Sequence, residues 1–361
     1  MRGAVISMHI LHVVGARPNF MKMAPVLQAL TGRRSVSQTV VHSGQHFDAN
    51  MSEVFFEQLG IPAPDLNLGV GPGSHAAQTC EIMKRLEGVL LQSKPDLVLV
   101  YGDVNTTLAA ALVCSKLLIE FAHVEAGLRS FDRTMPEEIN RVVTDQLASV
   151  LFTPSADANQ NLEREGVAKE RIRLVGNVMI DTLVRLLPKA SSTGLKNIPA
   201  RHLLVTLHRP SNVDDGMRLK EILGALAELS RLIPVVFPVH PRTRARMASL
   251  ELDSRPGNRL LLQEPVGYLE FLGLQRSAAV VVTDSGGIQE ETTFLGVPCL
   301  TLRENTERPI TVTMGTNKLV GHEMAALQRE VRAVLEGRAK KGSVPPLWDG
   351  RAAERIAAAI A

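Results

Sequence analysis

The sequence predicts an α/β fold of two Rossmann-like, doubly wound parallel-sheet domains that face a central cleft. Short apolar runs alternate with amphipathic helical patterns along the 361 residues, which is typical of a parallel sheet with helices on both faces. A stretch rich in Pro, Ser, Thr and Gly, residues 187–200, interrupts this alternation and predicts an interdomain linker. Only 4% of the residues are aromatic, so aliphatic side chains must fill the interior, which favours buried parallel strands.

The first domain is predicted to span residues 1–186. Its apolar runs predict strands at 9–14, 37–42, 96–101, 122–125, 150–153 and 172–175. Helical patterns between them lie at 22–30, 76–92 and 106–118. We expect the cluster at Asn105, Thr106 and Thr107 to cap the last of these helices.

The second domain is predicted to span residues 201–345. Its strands are expected at 202–206, 235–238, 259–262, 280–283 and 298–302. An Ala-rich helix, 351–361, follows two prolines, and we expect residues 346–361 to pack back on the first domain. Because parallel sheets bind ligands at the carboxyl ends of their strands, these ends should line the cleft.

The charge and cysteine content exclude several classes of protein. Lys and Arg total 40 against 37 Asp and Glu, and no basic cluster of the kind that binds nucleic acid is present. The three cysteines form no CxxC pair, which argues against a disulfide framework or a zinc site and favours a cytoplasmic location. No uncharged apolar stretch reaches the ~18–20 residues that membrane insertion requires.

The first predicted strand ends in the motif GARPNFMKMAP. Gly15 permits a tight turn, and a helix is expected to start near Pro18. A helix N-terminus binds anions, and Arg17 and Lys22 add two cations beside it. The motif therefore predicts a contact with a pyrophosphate or a sugar, the alternative being a loop arginine and a solvated helix lysine.

Three acidic residues lie at strand ends or the next helix start. Asp103 and Glu125 each close a strand, and Glu137 opens a helix after Pro136. Each alone could be a loop acid, an N-cap or a residue that complements the helix dipole. Together they predict crowded carboxylates that raise one another's pKa and so supply a general acid and a general base.

Two histidines follow strands of the second half. His208 comes directly after the run LVTL, and His240 ends FPVH. A single histidine is more often structural, but two at equivalent strand ends favour a functional role.

The strongest local motif is VVVTDSGGIQEE. Ser285, Gly286 and Gly287 present backbone amides at a predicted helix N-terminus, which suits a diphosphate. Glu291 is expected to accept hydrogen bonds from a ribose diol. Arg308 is expected near the same site, and Phe271 either flanks a base or packs in the core.

These motifs, together with GQHFD, YGDVNTT, HVEAGLRSF, MPEEINR, PVHP and TERP, occur in one order along nearly the whole chain. The chain thereby resembles the non-hydrolysing UDP-N-acetylglucosamine 2-epimerases. The resemblance implies a glycosyltransferase-B-like fold, conversion of UDP-N-acetylglucosamine to UDP-N-acetylmannosamine, no cofactor or metal, and a homodimer.

The resemblance also implies roles for individual residues. The residues implied to hold UDP are Ser285, Gly286, Gly287, Glu291 and Arg308, with Arg17 near the phosphates and Phe271 near the uracil. The residues implied to act on the sugar are Lys22, Asp103, Glu125, Glu137 and His208. His240, at its strand end, is expected to line the same substrate site.

The chain departs from the family pattern at three places. Pro210-Ser211 replaces a more common Arg-Glu after His208-Arg209, and Ile310 replaces a glutamate after TERP. Many members bind an activating UDP-N-acetylglucosamine through a QHRxM-type segment and an arginine in the following loop. Here Gln45–Asp48 read QHFD and Gly69–His75 read GVGPGSH, so we expect a weak or absent allosteric response.

Two other activities remain open at this point. Epimerases of UDP-diacetamido-glucuronic acid have similar motifs. The carboxylate of their substrate would need a cation such as Arg129, Arg133 or Arg209. A retaining UDP-sugar glycosyltransferase could use the same fold and UDP site.

Overall fold

The computed structural model describes residues 8–33, 35–45, 53–191, 198–250 and 259–360. These form two compact units, Met1–Thr182 with Pro346–Ala361 and Leu183–Pro345. The division falls inside a helix, ahead of the boundary expected at residue 186. Within the described residues, no helix is both long enough and apolar enough to cross a membrane.

The strands of the first unit form one parallel sheet. In chain order they are β1 Met8–Val14, β2 Val36–His42, β3 Leu66–Asn67, β4 Leu97–Tyr101, β5 Phe121–Val124, β6 Val150–Thr153 and β7 Ile172–Leu174. Among the described residues the strand order is β3-β2-β1-β4-β5-β6-β7. This order places the carboxyl ends of β1, β4 and β5 side by side.

The strands of the second unit form another parallel sheet. They are β8 His202–Thr206, β9 Val235–Pro238, β10 Leu260–Gln263, β11 Ala278–Thr283, β12 Cys299–Thr301 and β13 Asn317–Leu319. The described order is β10-β9-β8-β11-β12-β13, so β8 and β11 are neighbours at the centre. Both sheets confirm the predicted fold class.

Helices cover the faces of both sheets. Those of the first unit are α1 Arg17–Leu30, α2 Glu53–Leu59, α3 His75–Ser93, α4 Asn105–Leu117, α5 Pro136–Leu147, α6 Ala156–Arg164, α7 Val178–Leu186 and α15 Ala352–Ile360. Helix α7 runs across the division between the units. Those of the second unit are α8 Pro210–Val213, α9 Gly216–Leu229, α10 Pro241–Ser249, α11 Tyr268–Ser277, α12 Gly286–Leu295, α13 Pro309–Thr313 and α14 Met324–Leu335. Short 3-10 helices lie at Lys169–Arg171 and Leu187–Lys189, the second at the start of the expected linker.

Burial explains why the central strands form where the apolar runs lie. Every residue of β4, LVLVY, is buried, as expected for a parallel strand that is covered on both faces. The C-terminal helix α15 packs against α1 in the first unit. Its first two amides, at Ala352 and Ala353, donate to the carboxylate of Asp181, which ties the helix start to α7.

Three sequence predictions need correction. Helix α1 starts at Arg17, which agrees with the start expected near Pro18 but extends the helical pattern predicted at 22–30; the side chain of Asn19 accepts from the amides of Gly15 and Ala16 and organises the turn. Residues 105–107 do not cap α4: its N-cap is Val104, without a side-chain bond. The sequence reading also missed α2, β3 and β13, which are short elements with weak periodicity.

Candidate active site

Two strand ends in the first unit carry the predicted carboxylates. Asp103 follows β4, and Glu125 follows β5, its hydrogen-bonded neighbour. Glu125 has a φ of +74°, an uncommon backbone conformation for a residue with a side chain. The amides of Glu125 and Ala126 both donate to the carbonyl of Phe152, which holds this conformation in place.

Lys22 and Glu125 form a buried ion pair. Nζ of Lys22 lies 2.7 Å from Oε1 of Glu125, and the two side chains are 7% and 3% exposed. Gly102 makes room for the ammonium, because a Cβ there would lie 2.7 Å from Nζ. The side chain of Asn19 donates to the carbonyl of Tyr101 at 2.8 Å and so holds the start of α1 against the end of β4.

Asp103 pairs with a cation that the sequence reading left unassigned. Nη1 of Arg141 contacts the Asp103 carboxylate, and Nη2 lies 2.5 Å from Oε2 of Glu138. Asn140 donates to the backbone carbonyl of Asp103 at 2.8 Å. Glu138, Asn140 and Arg141 belong to the motif MPEEINR, in which the three-residue spacing of Glu138 and Arg141 on one helix was the available signal.

Glu138, rather than Glu137, is the buried acid of that motif. Its carboxylate accepts from the amides of Ser130 and Phe131 at 3.0 and 2.8 Å. Burial alone would raise the pKa of Glu138, but these hydrogen bonds and Arg141 outweigh it and hold the pKa below the usual value. Glu137 is half-buried and lines a cavity of about 320 Å³ together with Asp103.

Two of the three predicted acids have buried cationic partners. Lys22 pairs with Glu125, and Arg141 pairs with Asp103. The expected crowding of the carboxylates stays a prediction. Arg17 lies half-buried as the first residue of α1.

In the second unit, the Ser-Gly-Gly turn (Ser285, Gly286 and Gly287) links β11 to α12. Ser285 is the N-cap of α12. A Cβ on Gly286 would lie 2.3 Å from Nη1 of Arg308, so this position needs glycine, whereas a Cβ on Gly287 would have no neighbour within 4 Å. The open side of the turn is thus at Gly287, where the amides of a helix N-terminus suit an anion.

Arg308 is held by two buried carboxylates beside this turn. Its Nε lies 2.8 Å from Oε1 of Glu290, and its Nη1 lies 2.5 Å from Oε1 of Glu307. Burial would raise the pKa of Glu307, but Arg308, Arg303 and Arg209 outweigh it and hold the pKa far below the usual value. The guanidinium is therefore fixed in position.

Glu291 is buried among protein donors. Tyr268 donates its hydroxyl to Oε1 at 2.9 Å, and Gln275 donates to Oε2 at 2.6 Å. Burial raises the pKa of this carboxyl. Two carboxylate oxygens accept about four hydrogen bonds in all, so acceptor capacity for a diol remains.

The other predicted residues of the second unit differ from one another in burial and in their contacts. Phe271, on α11, is half-buried against the core around Leu274. His240 is exposed after β9. His208 follows β8, with its Nδ1 3.1 Å from Oδ1 of the fully buried Asp284. Asp284 is a residue to which the sequence reading gave no role, although it adjoins the Ser-Gly-Gly turn.

Of the three candidate cations for a substrate carboxylate, one is buried and already paired with acidic residues of the protein. Arg129 is buried, with ion pairs to Asp145 and Glu165 at 2.7 Å each. Arg209 lies 3.7 Å from Glu307, and Arg133 is exposed.

Comparison with known proteins gives one consistent result. The family model "UDP-N-acetylglucosamine 2-epimerase" matches residues 28–361. The UDP-N-acetylglucosamine 2-epimerase of Methanocaldococcus jannaschii is 44% identical over 95% of this chain and 96% of its own. The UDP-2,3-diacetamido-2,3-dideoxy-D-glucuronate 2-epimerase of Pseudomonas aeruginosa is also 44% identical, over 98% of this chain and 99% of its own.

A solved structure shows the same likeness. The crystal structure of the M. jannaschii enzyme in complex with UDP-GlcNAc and UDP matches with a TM-score of 0.88 and 42% identity, over 98% of this chain and 99% of that one. The two parallel-sheet domains are of the glycosyltransferase-B-like fold. The chain is an isomerase that belongs to the UDP-N-acetylglucosamine 2-epimerase family.

Proposed function

We propose that this chain interconverts UDP-N-acetylglucosamine and UDP-N-acetylmannosamine by inverting C2 of the sugar. The observation that carries the proposal is the pair of carboxylates at neighbouring strand ends, Asp103 and Glu125, each held by its own buried cation. Such a pair supplies proton donors and acceptors in fixed positions, which inversion at C2 requires. The relative from Methanocaldococcus jannaschii named above supports this substrate.

The proposed reaction is an elimination followed by re-addition. A base removes the proton from C2 while UDP leaves C1, which gives 2-acetamidoglucal; UDP then re-adds as C2 is protonated on the opposite face. The C2 proton is not acidic, so departure of UDP must assist its loss. The amides of the Ser-Gly-Gly turn and the fixed guanidinium of Arg308 would stabilise the charge that grows on the diphosphate.

We assign the residues to these two tasks. Those proposed to act on the sugar are Lys22, Asp103, Glu125, Glu137 and His208; those proposed to bind the UDP moiety are Arg17, Phe271, His240, Ser285, Gly286, Gly287, Glu291 and Arg308. The buried pairing of Lys22 supports a role in holding and neutralising Glu125.

A second substrate is favoured by one specific comparison, the Pseudomonas aeruginosa diacetamido-glucuronate relative. Its substrate carboxylate would need a cation. Arg133 is exposed and Arg209 is half-buried, whereas Arg129 is committed to Asp145 and Glu165. We therefore propose Arg133 or Arg209 for that contact if this substrate is used.

Deuterium uptake tests the proposal and separates the alternatives. The protein is incubated in deuterium oxide with UDP-N-acetylglucosamine or with the diacetamido-glucuronate, and recovered sugar nucleotide is analysed by NMR. Epimerisation places deuterium at C2 of the true substrate. A glycosyltransferase would leave C2 unlabelled, and that result with both sugars would refute the proposed reaction.

Three further expectations from the sequence stay predictions: a homodimer, a cytoplasmic location and a weak response to activating UDP-N-acetylglucosamine. For the last, His46, Phe47 and Asp48 lie outside the described residues. Gln45 is buried, and its Oε1 accepts from the amide and hydroxyl of Thr106 at 2.9 and 2.7 Å. In the test, the rate is measured with UDP-N-acetylmannosamine as the starting substrate. A sigmoidal dependence of rate on its concentration, with activity restored by trace UDP-N-acetylglucosamine, would contradict this expectation.

A further inference from the structure

The carboxylate of Asp284 joins the Ser-Gly-Gly turn to the loop that carries His208. Asp284 directly precedes the turn, and its side chain is fully buried. Its Oδ2 accepts from the backbone amides of His208 at 3.1 Å and Arg209 at 3.0 Å. Nδ2 of Asn212 donates a further hydrogen bond at 3.1 Å. One side chain therefore fixes the end of β8 relative to the start of α12.

The same carboxylate also contacts the ring of His208. Nδ1 lies 3.1 Å from Oδ1 of Asp284, while the histidine side chain is 51% exposed. Burial would raise the pKa of Asp284, but the hydrogen bond and charge of His208, with the bonds from Arg209 and Asn212, hold it below the usual value. Asp284 is therefore an anion, which accepts hydrogen bonds and donates none.

An acceptor at Nδ1 determines which ring nitrogen can exchange protons. An anionic acceptor 3.1 Å from Nδ1 of His208 favours the tautomer that carries its hydrogen on Nδ1. In the neutral ring Nε2 is then the nitrogen with a lone pair. The carboxylate is held by three donors, and the half-exposed ring lies at the end of a central strand.

We propose that Asp284 is the positioning residue for His208: it fixes the Nδ1–H tautomer, so that Nε2 exchanges protons with the substrate. Nε2 takes up a proton that the substrate releases, the ring becomes positively charged, and the reverse step returns the proton. The Asp284 carboxylate stays ionised throughout and stabilises the charged ring. This inference rests on the proposed function, in which His208 acts on the sugar.

The tautomer can be measured in the full-length protein without substrate. ¹⁵N chemical shifts of the labelled imidazoles are recorded at a pH where the rings are neutral, and His208 is assigned by its loss in His208→Gln. We expect the Nδ1–H form in the native chain and a mixture of both forms in Asp284→Asn, because the amide can donate as well as accept. Asn212→Ala is the matched control, since it removes a neutral donor to Asp284 but leaves the carboxylate beside Nδ1. An Nε2–H form in the native chain, or an unchanged tautomer in Asp284→Asn, would overturn the inference.

Kinetics then separate positioning from a purely structural role. Asp284→Asn is expected to lower kcat by up to about 10,000-fold with little change in KM, as when the aspartate that holds a catalytic histidine in one tautomer is replaced by asparagine. Asn212→Ala should lose far less. Equal losses in both variants would mean that Asp284 only holds the loop. If the native chain exchanges no deuterium at C2, the proposed function is refuted. The tautomer of His208 is measured without substrate, so its result does not depend on that outcome.

Discussion

Nζ of Lys22 lies 2.7 Å from Oε1 of Glu125, and both side chains are almost completely buried. One comes from the first helix and the other from the turn after β5, so this pair joins α1 to the sheet edge that carries the candidate acids. Glu125 therefore has a structural partner as well as a proposed catalytic task. Variants of Glu125 should change stability and turnover together.

Replacing Lys22 should show how much its charge stabilises the buried Glu125. Lys22→Met is expected to lower the free energy of unfolding by about 3–5 kcal/mol, because the buried Glu125 carboxylate then lacks the charge of the lysine. Urea unfolding measures the change. The double variant Lys22→Met/Glu125→Gln removes both charges and should recover much of the loss. Equal stability of the single and double variants would show that the charge pair is not the cause.

A variant of Asp103 tests the acid/base chemistry with less effect on stability than a variant of Glu125. Asp103→Asn is expected to lower turnover by about 100- to 10,000-fold, the usual worth of a general acid or base. Its melting temperature should stay close to that of the native chain, since Arg141 keeps its contact with Glu138 at 2.5 Å. Wild-type turnover in this variant would remove Asp103 from the mechanism.

The two glycines of the Ser-Gly-Gly turn should respond differently to alanine. Gly286→Ala would place a Cβ 2.3 Å from Nη1 of Arg308 and should destabilise the fold by about 1–3 kcal/mol. Gly287→Ala has no neighbour within 4 Å and should fold normally. If the open side binds diphosphate, however, Gly287→Ala should reduce the rise in melting temperature that UDP causes. Similar thermal stability of both variants would contradict this difference.

Acid should destabilise the first unit partly through Asp145. Burial alone would raise the pKa of Asp145, but the charge and hydrogen bond of His123 and the pairing with Arg129 hold it below its usual 3.8. A carboxyl with a lowered pKa contributes stability that is fully present above its unfolded pKa, and this contribution is lost as the pH falls from about 3.8 through the lowered pKa of the folded state.

Urea unfolding at a series of acidic pH values measures this effect. Asp145→Asn should be less stable than the native chain at neutral pH but should lose less further stability on acidification. Glu163→Gln, at a side chain that is 43% exposed, is the control and should follow the native chain. Parallel pH curves for Asp145→Asn and the native chain would argue against the role of Asp145.

Much of the fold could be predicted from the sequence, because burial leaves a local pattern. The runs at 150–153 and 202–206 are strands with the bounds expected, since a strand buried on both faces is a continuous apolar stretch. Two-residue β3 and three-residue β13 have too few side chains to form such a pattern, and only pairing with a neighbouring strand makes them strands. The motif order likewise pointed to the family before any geometry was known.

The sequence by itself determined which residues stand at strand ends and helix starts, since those positions follow from local periodicity and turn chemistry. Only the tertiary structure decided their partners. Lys22 meets Glu125 across 103 positions of the chain, and His208 meets Asp284 across 76, because the strand orders bring β1, β4 and β5, and likewise β8 and β11, side by side. Charge pairing depends on distances of a few ångströms, and a one-dimensional pattern does not encode distances between remote segments.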